Sequence, residues 1–332
     1  FDTPSAVSSF LNKFKPKALL VARTDVWPEL LYQTHKRKIP ALLFSTTFKP
    51  LTGFRLLLKP YYKMLFDFFA DIYAVSADDK FQILQTHTKT SVHVFGDTRY
   101  DQVLFRKEHP KDLKLNLLEK GNSPILIAGS TWPEDEKVLL PAVKDQLLDN
   151  KLRLILAPHE PTPQRISDII NQLQSMNIKS DLYTKSDNFN SPVLIIDCVG
   201  ILADLYTHGD IAFVGGSFKN KIHSVMEPLC AGLPTLVGPH HTNNREATQF
   251  QKISISDTLT AVTLVQNTGE IKNHLSQFLL SLHTLSNIKK LIQKEVHSRA
   301  LATDKVITWL KHIEHPETIK RGSLNEQISA DT

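Results

Sequence analysis

Short apolar runs recur along this chain, each followed by a stretch of helical periodicity. They fall at residues 18–22, 40–44, 72–75 and 92–95, and again at 125–128, 152–157, 193–196, 211–214 and 235–237. Several are continuously apolar instead of alternating, the pattern of strands covered on both faces by helices. A repeated strand-then-helix order favours parallel, doubly wound sheets. The 332 residues exceed what one hydrophobic core ordinarily organises, and a polar stretch at 106–123 separates the two series. We therefore expect an α/β protein of two Rossmann-like, doubly wound domains facing a cleft. Residues 1–107 form the first domain and 108–314 the second, with a polar tail at 315–332. Ligands of such sheets sit beyond the carboxyl ends of the strands, so the loops after the strands hold the candidate chemistry.

Charge and composition narrow the function classes. Between positions 12 and 63 eleven Lys/Arg face two acids, a local charge of +9 against +5 for the whole chain. Such a region attracts phosphates or an anionic membrane surface; it reads equally as a solvated basic face. We expect no nucleic-acid partner. No apolar run reaches the ~18 residues of a membrane span. Cys198 and Cys230 are too few for a disulfide framework, which suits a reducing, cytoplasmic setting. No Cys/His cluster has zinc spacing. No acidic metal motif ends a strand, and Asp78-Asp79 reads as the first turn of a helix. We expect no metal and no cofactor. The chain starts at Phe1 and not at Met, so residues preceding it are expected in the natural protein.

The densest motif starts at Ile211, with a buried strand ending in Gly215-Gly216-Ser217. A loop follows, then His223-Ser224-Val225-Met226-Glu227-Pro228 opens a helix. Glycines let a backbone approach a ligand, and a helix N-terminus offers free N–H groups to a phosphate. Glu227 suits the hydroxyls of a ribose; alternatively, Ser224 and Glu227 form a capping box. After the next strand come Gly238-Pro239-His240 and Asn244-Arg245-Glu246, a polar group suited to a cleft or to a helix start capped by Thr242 or Asn243. Gly129-Ser130-Thr131 follows the first strand of the second series. There Thr131 and Glu134 fit a capping box, with Pro133 in the first turn. His159 and Glu160 end the following strand. In the first domain Arg23 and Asp25 end a strand. Residues 46–69 mix basic and aromatic side chains, which suits a lipid-facing surface or an amphipathic helix packed on its own sheet.

Taken in order, these motifs resemble those of the 3-deoxy-D-manno-octulosonic acid (Kdo) transferases. The matching residues are Trp27-Pro28, Gly96-Asp97-Thr98-Arg99-Tyr100-Asp101, Gly129-Ser130-Thr131, Asp197 with Gly200 and Leu202, Gly215-Gly216-Ser217, Glu227-Pro228 with Gly232 and Pro234, Gly238-Pro239-His240 and Asn244-Arg245-Glu246, together with Phe1-Asp2. The likeness runs to about residue 312.

The resemblance implies a GT-B fold. It also implies a metal-independent, inverting transfer of Kdo from CMP-Kdo to a lipid A precursor in lipopolysaccharide biosynthesis. The enzyme would sit peripherally on the cytoplasmic face of the bacterial inner membrane. Glu227 would meet the donor ribose, amides near Gly215, Gly216 and residues 224–226 would hold the phosphate, and the loop Asp197–Ile201, with Gly200 and Ile201, would lie near the cytosine. The donor-binding set is then Gly129, Ser130, His159, Gly200, Ile201, Gly215, Gly216, Ser217, Ser224, Val225, Met226, Glu227 and Asn244. The chain departs from the family where an Asn usually precedes the Glu-Pro pair, and where His159 and Glu160 replace an arginine-containing loop. The family's general base is a Glu upstream of the residue aligned with Phe1, so the catalytic residue is unassigned and the first domain is expected to be incomplete. Three alternatives remain open: a GT-B transferase using a UDP-sugar, a sugar-nucleotide epimerase, and a non-catalytic nucleotide-binding module.

Overall fold

The computed structural model describes residues 2–111, 113, 123–186, 188–256, 259–280 and 285–314. The expected polar tail lies outside these residues, as do Phe1 and most of the stretch at 106–123. Contacts divide the chain into two compact units, one of residues 1–101 with 297 onward, the other of 102–296.

In the first unit a four-stranded parallel sheet, ordered β1-β2-β3-β4, is built from Leu19–Ala22 (β1), Ala41–Thr46 (β2), Asp71–Ala74 (β3) and Ser91–Val94 (β4). Helices Pro4–Phe14 (α1), Pro28–Lys36 (α2), Lys59–Asp67 (α3) and Ala77–Leu84 (α4) alternate with the strands, and Thr98–Glu108 (α5) carries the chain onward. The second unit is a seven-stranded parallel sheet, ordered β11-β10-β9-β5-β6-β8-β7. Its strands are Ile125–Thr131 (β5), Arg153–Pro158 (β6), Ser180–Leu182 (β7), Val193–Ile195 (β8), Ile211–Val214 (β9), Thr235–Val237 (β10) and Val262–Leu264 (β11). Helices Pro133–Leu148 (α6), Pro163–Ser175 (α7), Leu202–Leu205 (α8), Met226–Ala231 (α9), Arg245–Phe250 (α10), Thr268–Leu280 (α11) and Leu285–His297 (α12) complete it.

The continuous apolar runs have a simple cause. Successive strand residues point to opposite faces, and both faces of this sheet are covered. Leu126, Leu154, Val193 and Phe213 enter one core, while Ile125, Ile155, Leu194 and Ala212 enter the other.

The last described helix, Ala302–Glu314 (α13), belongs to the first unit. This corrects the expected boundaries of 107 and 314. Its Val306 and Trp309 pack on Leu42 and Tyr73, covering the face of the first sheet opposite the core of Leu43, Ile72 and Ala74. The Trp309 indole N–H donates to Asp71 at 2.8 Å. The Gly96–Asp101 motif is the clasp for this return. Gly96, at φ +82°, lies against the Arg299 carbonyl, where a Cβ would collide with backbone. The buried Asp97 accepts from Arg99, and Asp101 accepts the amides of Leu301 and Thr303 at the start of α13.

Candidate functional site

Because the second sheet is parallel, the loops after β5, β6, β8, β9 and β10 leave from one edge. That edge carries the expected donor-binding residues. Gly129 packs against the buried Tyr206 hydroxyl, leaving no room for a Cβ. Ser130 adopts a left-handed conformation (φ 55°) where the β5–β6 register shifts. Burial, then the Glu227 charge, pushes the Tyr206 hydroxyl well above its ordinary range.

The glycine pair does not present its amides to a ligand, which corrects one expectation. Gly215 N–H donates to the Gly129 carbonyl at 2.9 Å. The Gly216 and Phe218 amides donate to the fully buried Asp135 carboxylate, at 2.7 and 3.1 Å. The glycines serve space instead: a Cβ on Gly215 would collide with the Ser130 backbone, and Gly216 has φ +87°. Ser217 is equally committed, donating to the Val214 carbonyl and accepting from Gly238 N–H. Asn244 is the cap of α10, accepting from Ala247 N–H, while its amide donates to the His223 carbonyl. It displaces Thr242 and Asn243 as the expected caps.

The two expected capping boxes are also corrected. At α6 the residue that reaches back is Asp135, which accepts the Trp132 amide at 2.9 Å; Glu134 is exposed. Thr131 instead donates to the buried Glu136, which is also paired with Arg165. Burial raises the Asp135 and Glu136 carboxyls above their ordinary values. At α9, Ser224 Oγ accepts the Met226 amide at 3.2 Å, but Glu227 makes no return bond. The helix opens at Met226, so Pro228 occupies its third position, where an N–H has no intrahelical partner to lose.

What remains available is informative. Glu227 is half-buried, and its carboxylate has no hydrogen bond or ion pair among the described residues. The amides of Ser224, Val225 and Glu227 also donate to nothing among them. Beside them His223 and His159 stack at 4.2 Å, Trp132 Nε1 donates to His223 Nε2 at 3.1 Å, and the Lys219 ammonium sits 3.3 Å over the Trp132 ring. Burial, then His159 and Lys221, lowers the His223 imidazole below its ordinary value. Gly200 and Ile201 follow β8; the exposed Gly200 has φ +89°, and its carbonyl accepts from Lys111 at 2.7 Å. The expectations did not include Trp132, Asp135, Glu136 or His223 as site-forming side chains. Local sequence gives no signal for them, because the loop partners of Asp135 and Trp132 lie 81 and 91 residues away.

The first unit has a different feature at its own strand ends. A cavity of about 500 Å³ is lined by Arg23, Thr46, Lys49, Arg55, Tyr61 and Tyr62, among others. Next to it Phe54 is 92% exposed and Leu57 78%, whereas Leu65, Phe66 and Phe69 are buried. The segment at 46–69 therefore divides: Leu65, Phe66 and Phe69 pack on their own sheet, while Phe54 and Leu57 face solvent. Asp25 is exposed. Asp78 and Asp79 lie in the first turn of α4, as expected, with Asp79 accepting the Phe48 amide. Among the described residues no group of three His, Cys, Asp or Glu side chains is placed to hold a metal. No described helix is long and apolar enough to cross a membrane.

Comparison with known proteins gives this geometry its context. Residues 1–102 match the family model described as 3-deoxy-D-manno-octulosonic-acid transferase (kdotransferase). The chain is 26% identical over 303 residues to a 3-deoxy-D-manno-octulosonic acid transferase of Aquifex aeolicus, covering 90% of this chain and 74% of that protein. It is 27% identical over 252 residues to the enzyme so named from Haemophilus influenzae, covering 73% of this chain and 58% of that protein. Among solved structures, the UDP-GlcNAc 2-epimerase of Neisseria meningitidis shares the fold, with a TM-score of 0.60, 17% identity and coverage of 93% and 80%. Two parallel α/β sheets of this kind make the architecture that of GT-B proteins, with two Rossmann-like domains. In sequence the chain resembles the Kdo transferases and is a Kdo transferase-like glycosyltransferase.

Proposed function

We propose that this chain binds CMP-Kdo through its second unit and serves Kdo transfer to a lipid A precursor in lipopolysaccharide biosynthesis, at the cytoplasmic face of the bacterial inner membrane. The observation that carries the reading is Glu227, a half-buried carboxylate with no hydrogen-bond or ion-pair partner among the described residues, beside three amides that donate to nothing among them. A carboxylate accepts from ribose hydroxyls, and unpaired amides donate to a phosphate. Ser130, His159, Gly200 and Ile201 supply the surrounding contacts. Gly129, Gly215, Gly216 and Ser217 shape the floor, Val225 presents its amide, Met226 ties its own amide to the Ser224 hydroxyl, and Asn244 fixes the His223 segment.

In this reading the acceptor hydroxyl attacks the anomeric carbon and yields its proton to a carboxylate base. The bond from that carbon to the CMP phosphate oxygen breaks, and the amides at residues 224, 225 and 227 stabilise the departing phosphate. We assign no base within residues 1–332. The cavity with Arg23, Lys49 and Arg55 beside exposed Phe54 and Leu57 supports an acceptor that is both anionic and apolar, and it supports contact with an anionic membrane.

The test is incubation with CMP-Kdo and a lipid A precursor in vesicles, without added metal, with products read by mass spectrometry. A Kdo adduct formed only from CMP-Kdo is the expected result. Transfer from a UDP-sugar, or conversion of a UDP-sugar without acceptor, replaces the reading with a UDP-dependent transferase or an epimerase. CMP-Kdo binding with no transfer supports a nucleotide-binding module.

A further inference from the structure

One tightly held residue on the second sheet's carboxyl edge is left without a role by the donor reading. His223 is held at four points. Its amide donates to the Gly215 carbonyl at 3.1 Å, and its carbonyl accepts from Asn244 at 3.2 Å. Its ring stacks on His159, and its Nε2 faces the Trp132 indole N–H at 3.1 Å. The loop that delivers it is anchored at its start by Asp135 and Ser217. An indole N–H is only a donor, so the Nε2 facing it must be the lone-pair nitrogen and the imidazole proton must sit on Nδ1. Nδ1 has no partner among the described residues.

We propose that Trp132 is a positioning residue that holds His223 in the neutral Nδ1–H tautomer, and that this N–H donates to the anionic part of the nucleotide-sugar donor. The role in recognition rests on the donor reading above; the tautomer does not. Burial and its basic neighbours oppose protonation of His223; the acid of its own segment is Glu227, four residues on. His159 stacks on it, Lys221 lies two residues away, and Lys219 sits over the Trp132 ring. Protonation would also set an Nε2–H against the indole N–H. The donor therefore stays neutral and fixed where a free imidazole would change charge.

The experiment combines nitrogen NMR of the imidazoles with CMP titration of wild type and Trp132→Phe, which keeps an aromatic ring and removes the indole donor. In the wild type His223 carries its proton on Nδ1 throughout the neutral range. In Trp132→Phe the Nε2–H form appears and the ring protonates at higher pH. At about pH 8 the variant binds CMP about threefold to tenfold more weakly, the worth of one hydrogen bond. The gap closes on acidification, because the protonated ring again offers Nδ1–H. A role confined to packing would keep the gap constant with pH. As a second variant, His223→Asn, whose amide keeps an N–H near Nδ1, retains more affinity than His223→Ala. A wild-type proton on Nε2, or a pH-independent gap, overturns the proposal. The stated tautomer in a protein that binds no cytidine nucleotide overturns the recognition role and the donor reading, and leaves the lock standing.

Discussion

The two sheets end differently at their carboxyl edges. In the first unit the edge is cationic and partly apolar, with Arg23, Lys49 and Arg55 around an open cavity and Phe54 and Leu57 in solvent. In the second unit the loops are tied down by buried acceptors. Asp135 holds two loop amides, Glu136 holds Thr131 and Arg165, Ser217 bridges β9 and β10, and Asn244 caps α10. In the proposed reading the first edge offers area and charge to a large amphiphile. The second offers a few unpaired groups, fixed in place, to a small polar ligand. Two parallel sheets thus divide between adaptability and preorganisation.

That contrast is open to attack by mutation, from the largest effect downward. Asp135→Ala strands three amides and should lower stability by about 3 kcal/mol or more, because each buried unsatisfied group costs about 1–3 kcal/mol. Arg55→Ala should stay within about 0.5 kcal/mol, as an ordinary surface change does. Chemical denaturation reads both, and equal losses would break the comparison. Glu227→Ala should weaken CMP binding by about 1.5–3 kcal/mol, the worth of hydrogen bonds to a charged group, without moving Tm; calorimetry decides. The pair Lys49→Ala and Arg55→Ala should lose about 1 kcal/mol per charge in binding to anionic vesicles, with CMP affinity unchanged in the same preparation. The smallest effect concerns pH. The His223 imidazole is lowered in the folded state, so its contribution to stability is present above the ordinary 6.5 and is lost as pH falls through the folded value. Trp132→Phe should flatten that loss in denaturation curves taken between neutral and mildly acid pH.

Much of the architecture was legible in the sequence for a physical reason. Where both faces of a strand are buried, alternate residues enter different cores and the run becomes continuously apolar, as at residues 125–128 and 211–214. The pattern disappears where that reason lapses. β7 and β11 are three residues long, at the sheet's two ends, and β7 has no fully buried position. The return of α13 to the first sheet was also hidden, since an amphipathic pattern does not say which sheet it covers.

At the site, the need for glycine at 215 and 216 was readable, but the fate of their amides was not. The acceptor for Gly216 lies 81 residues earlier, and Trp132 meets His223 across 91. Local spacing carries no record of such pairs, and a capping-box pattern at Thr131 and Glu134 pointed one residue short of the buried acid that does the capping.

The most direct test of the account is a calorimetric titration of wild type and Glu227→Ala with CMP, UMP and UDP, without added metal. The account predicts that CMP binds most tightly and that the substitution removes most of that affinity with the fold intact. A preference for UDP, or CMP binding that is indifferent to residue 227, would contradict it.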